Sequence, residues 1–217
     1  MSLTTIQLDA FLPMVMPYVG TCPQILAKRH IRQAAIEFCE TTRLWREDIT
    51  QDITASPFTI AVPDHASLHV IKAVHWEATK LDAKVYEDIV SQSNAGSPRH
   101  FTQKVSGTLI IDPHEDGEVV IDAVLKPRQG QSYGTFAGDS AMQDAYDRVP
   151  EFMHRDHAAT IADGAIGNIL LLPAQEFANP DLSMFFTGKF QKAIAELSAS
   201  ELRHQARPRL RTKTNWF

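Results

Sequence analysis

The sequence predicts an α+β fold: an antiparallel helical core of one N-terminal and two C-terminal helices, an inserted β-rich lobe, and an extended C-terminal arm. Three observations predict it. Apolar residues recur at three- and four-residue spacing near both ends of the chain, the stretch between them changes to short β-branched runs, and basic residues gather after the last helix. The boundaries are residues 1–45 and 150–206 for the helical core, 46–126 for the lobe, 127–149 for a loop or linker, and 207–217 for the arm.

The first strong element runs from about Pro23 to Trp45, where Ala27, Ile31, Ala34, Ala35, Phe38, Thr42 and Trp45 form the apolar stripe of an amphipathic helix. Thr21 and Gln24 have the spacing of a capping box, and Pro23 falls in the first turn, where its missing N–H costs nothing. Before it, the apolar run from Phe11 to Pro17 is interrupted by two prolines and reads as a short or bent segment packed on that helix.

Candidate strands follow at Asp48–Ile53, Phe58–Val62, Leu68–Thr79, Arg99–Lys104, Thr108–Ile111 and Glu118–Leu125, with one helical turn at Tyr86–Val90. Residues 91–97 are small and polar and read as a loop. Residues 112–117, dense in turn formers, read as a hairpin connection. Pro127–Ser140 is rich in Gly, Gln and Ser, the composition of a linker or exposed loop.

Two helices close the pattern. One spans Glu151–Leu172 between Pro150 and Pro173, and its small residues Ala158, Ala162, Gly164, Ala165 and Gly167 require a close neighbour to offset their low helix propensity. The other spans Pro180 to about Ala206, with Asn179 as N-cap, Pro180 in the first turn, and Asp181 complementing the helix dipole. Its stripe is Leu182, Phe186, Phe190, Ile194 and Leu197, and Pro208 ends it. No internal repeat is present.

The 217 residues are 44% hydrophobic and 22% charged, enough to bury a core. Cys22 and Cys39 are the only cysteines and lack CxxC spacing, so neither a disulfide framework nor a zinc site is expected, and synthesis in a reducing cytoplasm fits. No apolar run reaches the roughly 20 residues that cross a bilayer. The net charge of −5 hides an asymmetry: Arg203, Arg207, Arg209, Arg211 and Lys213 bring five positive charges to the last fifteen residues, which leaves −10 elsewhere. Such a segment reads as an interaction tail for an acidic protein surface or nucleic acid.

Several patterns in order, Arg32-Gln-Ala-Ala-Ile-Glu-Phe-Cys39 followed by Trp45, Ile161-Ala-Asp-Gly-Ala165 with Leu170-Leu-Leu-Pro173, and Phe185–Phe190 leading a long helix into an Arg-rich tail, resemble the head-tail adaptor proteins of tailed bacteriophages. The resemblance spans both helical regions and, more loosely, the lobe. It implies a head-tail connector, a structural protein of the virion neck that is made in the host cytoplasm. Its copies would form a dodecameric ring of about twelve between the portal protein and the tail or a tail-completion protein. It also implies portal docking by the C-terminal segment, that is by Arg203, Arg207, Arg209, Leu210, Arg211, Lys213, Trp216 and Phe217. No cofactor, metal, membrane or catalytic residue is implied. The lobe is the departure, since the smallest adaptors are nearly all helical.

Other chemistries are less well supported by the residues. Gly130-Gln-Ser-Tyr-Gly134 matches the nucleophile elbow of serine hydrolases, but Pro127 separates it from the preceding strand and no helical pattern follows, so Ser132 reads as a loop serine. His154 and His157 stand at i,i+3 without the glutamate of HExxH, and His65, His69 and His75 are scattered through strand-like sequence. A nucleic-acid-binding module using the basic arm is the main alternative, including non-specific contact with genomic DNA in a channel. The absence of interleaved aromatics argues against sequence-specific recognition. Trp216 and Phe217 instead suit a hydrophobic anchor in a partner's pocket, rimmed by arginine pairs.

Overall fold

The computed structural model describes residues 3–90, 96–129 and 146–204, a mixed α+β arrangement with several antiparallel sheets. The chain begins with strand β1 (Thr5–Gln7), a single 3-10 turn (Leu8–Phe11) and helix α1 (Leu12–Val19). Helix α2 (Gln24–Thr42) follows. Its start differs from expectation: Pro23 is the N-cap and no side chain caps it, so the Thr21 capping box does not form. The Pro23 carbonyl accepts the N–H groups of Leu26 and Ala27, so the ladder opens from the backbone alone. At its other end Arg43 takes a left-handed conformation and its N–H bonds the Cys39 carbonyl.

The middle of the chain forms strands β2 (Arg46–Ile53), β3 (Phe58–Thr59), β4 (Ala66–Trp76), β5 (Thr79–Lys80) and β6 (Asp82–Ala83), helix α3 (Tyr86–Val90), and strands β7 (His100–Val105), β8 (Thr108–Asp112) and β9 (Gly117–Pro127). They make two four-stranded sheets, ordered β2-β9-β4-β5 and β3-β8-β7-β6. β9 is the spine of the first, paired along its length with both β2 and β4. Its alternate residues Val119, Ile121, Ala123 and Leu125 are fully buried, as the period of a half-covered strand requires. The expected hairpin at residues 112–117 is not one. β8 and β9 lie in different sheets, because β9 already has a partner on each side and leaves no edge for β8.

Strand β10 (Arg148–Pro150) pairs with β1, Thr5 opposite Pro150, and leads into helix α4 (Glu151–Leu170) and then helix α5 (Pro180–His204). α4 runs opposite to both α2 and α5: Phe38 of α2 meets His157 of α4, while Gly164 lies between Ala34 of α2 and Phe190 of α5. The small residues of α4 are therefore explained by approach. A β-carbon at Gly164 would sit 3.0 Å from the Phe190 ring and 3.1 Å from Ala34, and one at Gly167 would sit 2.5 Å from the Thr187 hydroxyl. α5 has its expected cap, Asn179 Oδ1 accepting the Leu182 N–H at 3.1 Å, and its Ser183 hydroxyl donates to the Gly167 carbonyl at 2.7 Å. Phe186, Phe190 and Ile194 are buried, and Leu182 and Leu197 pack at the margin of the same core. Buried residues of helices and of both four-stranded sheets belong to one continuous cluster. Among the described residues no single helix is long and apolar enough to cross a membrane.

Candidate interaction surfaces

The antiparallel packing brings the C-terminus of α1, the N-terminus of α2, the C-terminus of α4 and the N-terminus of α5 to one end of the bundle. The sequence there is short of charge over Leu12–Gln24, which has none, and Leu171–Gly188, which has only Glu176 and Asp181, but Arg29 stands one helical turn beyond Ile25 and Lys189 one turn beyond Phe185. Large apolar side chains stand in solvent at this end, among them Tyr18 (53% exposed), Ile25, Leu171, Met184 (67%) and Phe185 (63%). They are held, not loose. Tyr18 and Phe185 both set their rings edge-on against the buried Phe186, at centroid distances of 5.0 and 5.4 Å. Such T-shaped contacts fix ring orientation. Exposed apolar residues gathered on ordered elements are the usual chemistry of a surface that another protein covers.

A second feature ties the N-terminal turn, α2 and the approach to β10. Lys28 bridges Asp9 at 2.7 Å and reaches Asp147 at 3.9 Å, and Arg32 bonds the same Asp147 carboxylate while its guanidinium lies 3.2 Å from the centre of the Tyr146 ring. Arg32 is buried, and desolvation pulls it below the ordinary arginine value against the opposing effects of Tyr146 and Asp147. A charge so placed has a structural use: it ties α2 to the residues just before β10.

The histidines singled out in sequence do not converge. His154 sets its ring edge-on to Phe11 at 5.0 Å, His157 tilts against Phe38 at 4.9 Å, and His65 stacks on Trp45 at 5.6 Å with the planes 13° apart. They act as partly buried aromatic packing. Burial pushes His65 and His157 below the ordinary histidine range, as it does His30 and His69. No group of three or more His, Cys, Asp or Glu among the described residues could hold a metal ion. Cys22 and Cys39 are both buried and free, and burial pushes both thiols up, Cys39 far more.

Of the expected docking residues, Arg203 belongs to the last turn of α5, while Arg207, Arg209, Leu210, Arg211, Lys213, Trp216 and Phe217 lie outside the described residues, as does Ser132. The exposed end of the bundle was missed in sequence because its members are spread from Tyr18 to Phe185. The lack of basic residues in two distant stretches was the signal that could have joined them. The chain matches no protein-family model and no curated protein.

Proposed function

We propose that the chain is a structural virion protein, a head-tail connector adaptor that assembles as a ring between portal and tail. In this reading α1, α2, α4 and α5 form a helical core, the two four-stranded sheets form an inserted lobe presented to the tail, and residues 207–217 form a docking arm. Arg203, Arg207, Arg209, Leu210, Arg211, Lys213, Trp216 and Phe217 dock on a neighbouring protein, the portal being the partner that the resemblance implies. One observation carries the reading: Tyr18, Met184 and Phe185 stand exposed together on ordered helices, a surface suited to burial against another subunit.

The test is a mass measurement of the purified protein alone and with a portal ring, repeated after removal of Pro208–Phe217. The truncated chain is expected to fold and stay soluble, because a proline at position 208 is expected to stop a helix and so set the arm apart from it, and to lose stable attachment. Normal attachment by the truncated chain would return the arm to a solvating role. The basic arm also supports a second reading, direct binding to nucleic acid. Salt separates the two: phosphate binding falls steeply with ionic strength, whereas an aromatic-anchored protein contact falls less.

A further inference from the structure

We infer that the open edge of β2 is a docking site for an extended basic segment of another protein, which adds to the four-stranded sheet as a further strand. The inference goes beyond the ring reading and does not depend on it, because a single copy carries the whole edge.

The backbone makes the site. β2 ends the sheet ordered β2-β9-β4-β5 and pairs with β9 alone. Just before β2, the Leu125 N–H donates to the Trp45 carbonyl at 2.9 Å, and the register keeps Glu47, Ile49, Gln51 and Ile53 in step with that bond. Successive residues of an antiparallel ladder turn their N–H and C=O groups to opposite edges. Asp48, Thr50 and Asp52 therefore aim theirs away from β9. All three are exposed, and among the described residues nothing bonds their backbone on that side. An added strand is what completes such an edge.

The side chains name the occupant. Asp48 stands directly opposite Asp122 and Asp52 directly opposite Glu118, with Thr50 and Val120 between the two pairs. They share the face of the sheet opposite to the one that buries Ile49, Ile53, Val119 and Ile121. Like charges directly opposite weaken the pairing of the strands that carry them. Charge on β2 alone would keep stray strands away. Asp122 and Glu118 are on a central strand, where they guard no edge and only add repulsion, which a cationic chain relieves. The sheet's own cations are placed otherwise. Arg46 and Lys126 stand beyond Asp122, Lys126 bonded to Glu40 at 2.6 Å, while Lys80 is on β5 and Lys72 lies in the bulge of β4. None is directly opposite either pair.

The same charges exclude other occupants. A second copy's β2, paired antiparallel about Thr50, would set Asp48 against the other copy's Asp52, and a nucleic-acid backbone would be repelled outright. The partner is a protein segment with lysine or arginine at two positions four apart, matching Asp48 and Asp52, which lie about 13 Å apart at roughly 3.3 Å per residue. A small or β-branched residue midway meets Thr50.

The probe is a seven-residue capped peptide with lysine at its second and sixth positions, valine at its fourth and threonine elsewhere, titrated into the full chain and followed by amide chemical shifts. The amides of Asp48, Thr50 and Asp52 should shift together and saturate. Moving the second lysine to the fifth position puts the two cations on opposite faces, and methylating the valine nitrogen removes the central backbone bond. Each altered peptide should bind roughly fivefold more weakly or worse. So should the original peptide with the variant Asp48→Asn/Asp52→Asn, whose melting temperature should not fall, since the substitutions relieve repulsion.

Shifts confined to other residues, or none at millimolar peptide, would overturn the inference and leave the carboxylates as edge protection. Equal binding of either altered peptide would overturn it as well, as attraction of charge without strand addition. Undiminished binding by Asp48→Asn/Asp52→Asn would remove the carboxylates that name the occupant, and the inference with them. None of these outcomes touches the ring reading, which is tested by attachment to the portal.

Discussion

Helices α4 and α5 lie side by side yet use their residues in opposite ways. α4 is buried along most of its length, including Asp163 and every residue from Ile161 to Gly167, and its small side chains let two neighbours approach. α5 buries a single stripe and leaves Met184 and Phe185 in solvent. Everything unusual about α4 is accounted for inside the fold. What is unusual about α5 is not, since packing within the described residues gives Met184 and Phe185 no reason to be apolar.

That contrast can be broken at several points. The largest effect is expected from Phe38→Ala in α2, which removes a fully buried ring packed against His157 and should cost about 3–5 kcal/mol. Denaturant unfolding measures it; a variant that melted like its parent yet failed to assemble would make Phe38 an interface residue. Next comes Gly164→Val, which forces branched carbon into the space held by Phe190 and Ala34 and should cost about 1–3 kcal/mol. By contrast Met184→Ser on α5 should leave the melting temperature almost unchanged, within about 0.5 kcal/mol. Equal losses at Gly164 and Met184 would erase the distinction between the helices.

A smaller effect is expected from pH. His157 is held below the ordinary histidine value of 6.5 by burial, partly opposed by Asp156, and burial lowers His30, His65 and His69 as well. The folded protein thus binds fewer protons at these sites than the unfolded chain. Their stabilisation is complete above pH 6.5 and declines as pH falls below it, through the lowered folded values. Melting temperature should drop between pH 7.5 and 5.5, and His157→Gln should flatten the slope; an unchanged slope would remove His157 from the account. The smallest effect of all is expected from Ser132→Ala, which should leave assembly intact. An esterase activity abolished by that substitution would make the protein an enzyme.

Much of this was legible locally. Asn179 announced the start of α5, and its cap is three residues long; the stripe through Phe186, Phe190 and Ile194 needed only helical spacing. The capping box at Thr21 had the right spacing and failed, because the backbone of Pro23 served the same N–H groups. β1 and β10 were invisible: each is three residues long, and neither has a reason to be extended except the other, more than 140 positions away. The change of sheet between β8 and β9 was hidden for the same cause, since turn composition says that the chain bends and not which strand receives it. The exposed bundle end was legible only as missing charge, and the members of the proposed arm say what they could bind without saying where.

The pairing of β1 with β10 and the burial of α2 against α4 also set a schedule for synthesis. When the ribosome has made α2, its Ala34 and Phe38 lack the helix that packs on them, which begins at Glu151, more than a hundred residues later. At bacterial-type elongation speeds that interval lasts about 5–20 s. For that time the face of α2 that packs on α4, and the strand β1, are without their partners. β1 and β10 must meet, and α4 must reach α2, before the helical part of the core closes, so that part cannot be built stepwise along the chain.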